Sequence, residues 1–270
     1  MTSGTPEQLI VLSRATYLPL YTALATAAAV LAMLFQFYLL ALAAALVTAA
    51  LFVLAGQSAG LARDYGPMPV GHGVSLPPHT EVAGAPPWWA LIFALVADGT
   101  LFTSLLFGTL YLWISAPNWP PAIAPKPGLM LALVAIAALA VAASAARGSL
   151  RSPAAGGTAR RWIVLAIVGL LVAIAAVAGL VGGVVPRPTE HALGATAAAL
   201  LGYVALHAGI GLLFLVSNLL RLGAGLISPR RSLDLRLTRL WLDYTVMTGT
   251  IALGLVLALP ALVAMLGARP

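Results

Sequence analysis

Two residues in this chain could do chemistry inside an apolar environment, and they lie far apart in sequence. Asp98 interrupts the stretch Pro86 to Pro121, PPWWALIFALVADGTLFTSLLFGTLYLWISAPNWPP, which is otherwise mostly apolar. About 20 such residues at ~1.5 Å per residue cross the ~30 Å hydrocarbon core of a bilayer. A carboxyl group about ten residues into such a span lies close to the midplane. There it costs several kcal/mol unless it is protonated or partnered. Asp98 is therefore either a working proton site or a neutral acid hydrogen-bonded within a helix bundle. His207 sits in a second apolar run with Tyr203, Gly211 and Asn218, all within about 80° on a 3.6-residue wheel. A lone buried histidine serves either as a hydrogen-bonded packing residue or as a ligand. A His207–Asp98 contact would join two helices, although the sequence alone does not establish one. Asp243 and Tyr244 open the last apolar run, where Asp243 is placed to pair with Arg239 or Arg236.

The remaining inventory argues against redox or hydrolytic chemistry carried by this chain alone. A haem with two axial histidines needs two imidazoles at membrane depth, and only His207 is available. His72, His79 and His191 fall in connecting segments without a metal-ligand spacing. The chain has no cysteine, which removes thiolate sites, iron–sulfur clusters and disulfides. Gly56-Gln57-Ser58-Ala59-Gly60 spells GxSxG but closes an apolar run instead of sitting on a strand-to-helix turn, and no HExxH or Walker-type motif occurs.

The elements that must position these residues follow from composition. Of 270 residues, 61% are hydrophobic and 8% charged, and mean hydropathy is +1.03. Soluble domains carry about 25% charged residues. The apolar runs are too long and continuous for barrel strands, so the expected fold is an all-α, polytopic membrane protein. The N-terminal MTSGTPEQLIVLSRATYLPLY lacks the pattern of a removable signal peptide.

Seven helices are expected. Residues 1–56 hold a short polar lead and a tight hairpin of helices 1 and 2 that breaks near Gln36-Phe37-Tyr38. Residues 57–87 read as a Gly/Pro-rich loop containing His72, His79 and Glu81. Residues 88–270 then supply a five-helix bundle, with helices near 88–115, 128–146, 162–185, 192–221 and 240–266. Basic loops are expected at 147–161 and 222–239. Helix 3 carries a small-residue face of Ala97, Thr100, Ser104 and Gly108, turned roughly 120° from Asp98. Helix 5 carries Gly179-xxx-Gly183. Both patterns suit close helix packing.

Charge placement supports the count. With seven spans, eleven of the fourteen basic residues fall on the side of the N-terminus and of loops 2–3, 4–5 and 6–7. The positive-inside rule makes that side cytoplasmic. Arg221, Arg230, Arg231 and Arg236 are then candidates for phospholipid headgroups, each worth about 1 kcal/mol near an anionic surface. The net charge of +7 reads as topology rather than as nucleic-acid binding.

Three blocks carry a resemblance. WWALIFALVADGTLFTSLLFGTLYLW is similar to the third helix of subunit III of haem–copper cytochrome c oxidases, and closest to the subunit III-like portion of bacterial subunit I+III fusions. Asp98 takes the position of that family's acid, commonly glutamate. Leu206-His207 in VALHAGIGLLFLVSNLLRLG resembles the family's Gly-Leu-His run in the penultimate helix. LRLTRLWLDYTVMTGTIAL is similar to the start of the last helix, although Leu242-Asp243 stands where the family usually has Trp-His. The resemblance spans roughly residues 15–265. It implies a non-catalytic subunit of the bacterial inner membrane, with no cofactor of its own. Haem and copper would reside in a partner subunit I, and subunit II and phospholipids would be further partners. The subunit would stabilise subunit I and support its proton uptake. Two other classes compete: a proton-coupled transporter using Asp98 and His207, and an intramembrane enzyme. The first lacks a visible inverted repeat, and the second lacks a nucleophile–base motif.

Overall fold

The computed structural model describes residues 15–58, 66–76, 86–116, 128–151, 156–183, 185–229 and 231–266. Seven helices are found among them: α1 (Leu18–Leu34), α2 (Tyr38–Ser58), α3 (Pro86–Ser115), α4 (Gly128–Arg151), α5 (Gly156–Gly183), α6 (Ala192–Gly223) and α7 (Leu233–Leu266). Six of them, α2 to α7, are long and apolar enough to cross a membrane. The chain is thus a multi-pass helical membrane protein. The exception is α1, whose 17 residues extend only ~26 Å at ~1.5 Å each, short of the ~30 Å core.

The chain divides into two compact units, Met1–Thr80 and Glu81–Pro270. In the first, α1 and α2 form the expected hairpin. Its break falls at Gln36, whose φ of 64° places it in the left-handed region that ends a helix. The segment read as a plain loop contains a short antiparallel hairpin, β1 (Met68–Gly71) and β2 (Val74–Leu76). Gly71 and Gly73 have φ of 98° and 76°, and His72, between them, 50°. Glycine's freedom at positive φ makes that tight reversal possible. His79 and Glu81 lie outside the described residues.

The second unit is a ring of four helices with a fifth laid against it. The ring runs α4–α5–α6–α7 and closes through α7 on α4, while α3 packs on α6 and α7. The ring is built from small residues. On α4, Ala135, Ala138, Ala142 and Ala146 are buried; on α5, Ala159, Ile163, Ala166, Leu170, Ala173, Val177 and Leu180 are buried at alternating spacings of four and three. That is the seam of a left-handed helix pair. The α4 and α5 backbones approach closely at Gly169, where an added Cβ would lie 2.9 Å from the Ala138 carbonyl oxygen. This corrects the expectation for Gly179 and Gly183. Gly179 faces only the Leu131 side chain, and the space beside Gly183 is open.

Two basic loops are shorter than expected. Helix α4 continues through Arg147 to Arg151, α5 begins at Gly156 and so includes Arg160 and Arg161, and α7 begins at Leu233. The apolar pattern stops where a helix leaves hydrocarbon, but its backbone ladder continues into the polar zone.

Candidate functional site: a carboxyl–histidine–tyrosine cluster

Helix α3 meets its neighbours along one line. Leu95, Phe102 and Thr109 are its buried residues, seven apart, and the partly buried Leu91 and Leu105 lie on the same line. With Asp98 they make an unbroken four–three repeat. Asp98 occupies a seam position, with its side chain 21% exposed. The face predicted for packing is turned away. Ala97, Thr100 and Ser104 are exposed, nothing lies within 4 Å of a Cβ added at Gly108, and the hydroxyls of Thr100 and Ser104 donate to α3 carbonyls. The correction has a physical reason: the chain's larger apolar side chains define the seam, and the small face is left outside it.

The expected stripe on α6 does face inward. Tyr203, His207, Gly211 and Asn218 are all buried, and the first two converge on Asp98. The Tyr203 hydroxyl donates to Asp98 Oδ2. His207 Nε2 lies 3.1 Å from the same oxygen. A third donor was not anticipated: the Tyr244 hydroxyl of α7, at 2.7 Å. The two tyrosine oxygens are 3.2 Å apart, so one hydroxyl can turn to the other if the carboxyl is lost.

The proton inventory of the cluster follows from these partners. His207 Nδ1 lies 3.0 Å from the Tyr203 carbonyl oxygen. A carbonyl only accepts, so Nδ1 carries a hydrogen. The Nε2–Oδ2 hydrogen bond then needs one more proton between its two atoms. With the proton on Oδ2 both residues are neutral; with it on Nε2 they are an ion pair. Either way the pair has no net charge, which removes most of the cost of a carboxyl at this depth.

Trp241 completes the assembly. Its indole N–H donates to the His207 carbonyl oxygen at 2.9 Å, and its ring stacks on the imidazole at 5.0 Å between centroids and 4° between planes. Phe102 stacks on Tyr203 from the α3 side at 5.0 Å. Gly211, one turn beyond His207, makes room for α7: a Cβ there would lie 2.8 Å from Leu242 Cδ2 and 3.4 Å from Trp241 Cδ1. Trp241 and Tyr244 are one turn apart on α7 and address the same imidazole and carboxyl. That spacing was the available signal for them.

The other candidates stand apart from the cluster. Asn218 donates to Thr238 Oγ1 at 2.8 Å, and Thr238 donates to the Asp234 carbonyl, joining α6 to the start of α7. Asp243 pairs with Arg239 at 3.4 Å, as expected, and more closely with Arg147 of α4 at 2.7 Å; Arg236 is not its partner. Of the proposed headgroup arginines, Arg221 is engaged by Asp234 at 2.8 Å. Arg231 has a buried Nη1 without a hydrogen bond among the described residues, Arg236 is exposed, and Arg230 lies outside the described residues. Among the described residues, no group of three or more His, Asp or Glu side chains is arranged to hold a metal ion. No protein-family model matches the chain, and no curated protein matches it.

Proposed function

We propose that the chain is a non-catalytic subunit III of a respiratory haem–copper terminal oxidase, packing on a separate subunit I that holds the haem and copper. One observation supports this reading best. The three blocks that carry the resemblance lie more than 100 residues apart at the extremes, and each contributes a side chain to a single cluster: Asp98 from the first, His207 from the second, Trp241 and Tyr244 from the third. Segments that resemble one family and also meet in space are more telling than any one of them.

In this reading the cluster is a structural tie. Helix α3 lies outside the four-helix ring, and the three hydrogen bonds of Asp98 fix it to α6 and α7 at mid-length. The carboxyl and imidazole share a proton without net charge, so the tie is tolerated in hydrocarbon. The seven-span topology, with α1 crossing and the N-terminus on the cytoplasmic side of a bacterial inner membrane, belongs to the same proposal. So do subunit II and bound phospholipid as partners.

The test is affinity purification of the tagged chain in mild detergent from its native membrane, followed by a reduced-minus-oxidised visible spectrum. A co-purifying large subunit with haem a- or o-type bands is the expected result. A colourless, solitary protein would overturn the proposal and bring forward the transporter reading.

A further inference from the structure

Where α4 ends and α5 begins, the two helices leave between them a groove of about 510 Å³ on the outer face of the ring. Its floor is Gly148. The indole of Trp162 lies flat on that glycine, with its ring atoms 2.6–3.0 Å from where a Cβ would stand, so only glycine leaves the ring in place. The walls are apolar, formed by Ala140 and Val141 of α4 and Leu165 of α5, and Arg151 stands at the end nearest the connection. Val141, Trp162 and Leu165 are 45%, 38% and 42% exposed.

We propose that this groove binds one anionic phospholipid, with its phosphate on Arg151 and the upper part of an acyl chain along Val141 and Leu165. Three features select that occupant. The walls lie on spans that face hydrocarbon, so what fills them is apolar over that length. The charge at one end only is the polarity of a lipid, whose phosphate sits at the interface and whose chains run inward. Among the described residues, Arg151, Arg160 and Arg161 have no carboxylate partner, whereas Arg147, on the same turn region, is neutralised by Asp243. Arg151, the guanidinium that lines the groove and has no carboxylate partner among the described residues, favours an anionic headgroup over a zwitterionic one. Trp162 also lies near the start of α5, 38% exposed, where a span leaves hydrocarbon and such rings anchor.

The proposal rests on the membrane-embedded character of α4 and α5 and not on the oxidase reading, so the test uses the full chain alone in bilayers. Trp162 is itself the reporter. Its fluorescence is isolated by subtracting the emission of Trp162→Phe from that of the unaltered protein, since the chain has six tryptophans. The probes are phosphatidylglycerol and phosphatidylcholine brominated on their acyl chains, added at equal mole fraction to non-brominated phosphatidylcholine bilayers. Brominated phosphatidylglycerol is expected to quench the Trp162 component at about five-fold lower mole fraction than brominated phosphatidylcholine, the effect of one arginine near a headgroup charge. Arg151→Gln, an exposed change that leaves the groove intact, is expected to bring the two curves together. Equal quenching by both lipids in the unaltered protein, or a preference that survives Arg151→Gln, would overturn the proposal. So would a Trp162 component that neither lipid quenches, which would mean that protein covers the groove.

Discussion

Removing the carboxyl of Asp98 should loosen α3 from the ring by an amount the geometry bounds. Asp98→Ala takes away the one oxygen that serves the Tyr203 hydroxyl, the Tyr244 hydroxyl and His207 Nε2. Interhelical hydrogen bonds in membranes average ~0.6 kcal/mol and reach ~1.7. Three of them lost would cost ~2–5 kcal/mol. Part returns, because the tyrosine oxygens are 3.2 Å apart and one can donate to the other. The expected net loss is therefore about 2 kcal/mol, roughly 30-fold in the equilibrium for native packing. Tyr244→Phe alone removes one donor and leaves two, for an expected loss of about 1 kcal/mol. The double variant Asp98→Ala/Tyr244→Phe also loses the tyrosine–tyrosine bond that softens Asp98→Ala, so it should cost about 1 kcal/mol more than Asp98→Ala alone. The assay is reversible unfolding in mixed micelles of increasing SDS fraction, followed by circular dichroism. A Tyr244→Phe variant as stable as the unaltered protein would refute the claim that the Tyr244–Asp98 bond holds α3 in place.

Three further outcomes follow from neighbouring contacts. Trp241→Phe keeps an aromatic face on His207 but loses the indole donor to its carbonyl, and should cost about 1 kcal/mol in the same unfolding assay. Gly169→Ala places a methyl 2.9 Å from the Ala138 carbonyl oxygen and should destabilise by ~1–3 kcal/mol, whereas Gly183→Ala and Gly108→Ala meet nothing within 4 Å and should be neutral or slightly stabilising. Asp243→Asn breaks pairs whose arginines are half exposed, Arg147 at 48% and Arg239 at 50%. It should cost under ~1 kcal/mol, with the difference shrinking as salt is raised.

Much of this architecture was legible because bilayer physics leaves few choices. A chain this apolar can satisfy its backbone in hydrocarbon only through helices or closed barrels, and the Pro- and Gly-rich segments separated the runs. The break at Gln36 was readable from a polar residue within about forty apolar ones. What failed was the choice of faces. The small residues of α3 suggest a packing face, yet the seam runs through Leu91, Leu95, Asp98, Phe102, Leu105 and Thr109, a four–three repeat already present in the sequence. In a segment that is apolar all round, amphipathic contrast vanishes, and only the period separates seam from lipid face. Pairing across helices was less legible still. That His207 reaches Asp98 depends on how α3 leans on α6, and no residue of either helix encodes that angle by itself. The β-hairpin at 68–76 was hidden by its shortness, since strands of four and three residues leave no alternation to count.

The cluster also explains why its members have to come as a set. A carboxyl alone in the middle of α3 would need to be neutral or solvated, and an imidazole alone in α6 would leave Nε2 without a partner once the Tyr203 carbonyl holds Nδ1. Together they need one proton for the bond between them, and its position along that bond leaves the net charge unchanged. The tyrosines finish the arrangement differently from the histidine. Each donates a hydrogen bond to Oδ2 without bringing a charge, whereas the imidazole, 3% exposed and stacked on Trp241, shares with the carboxyl the proton that leaves the pair without net charge.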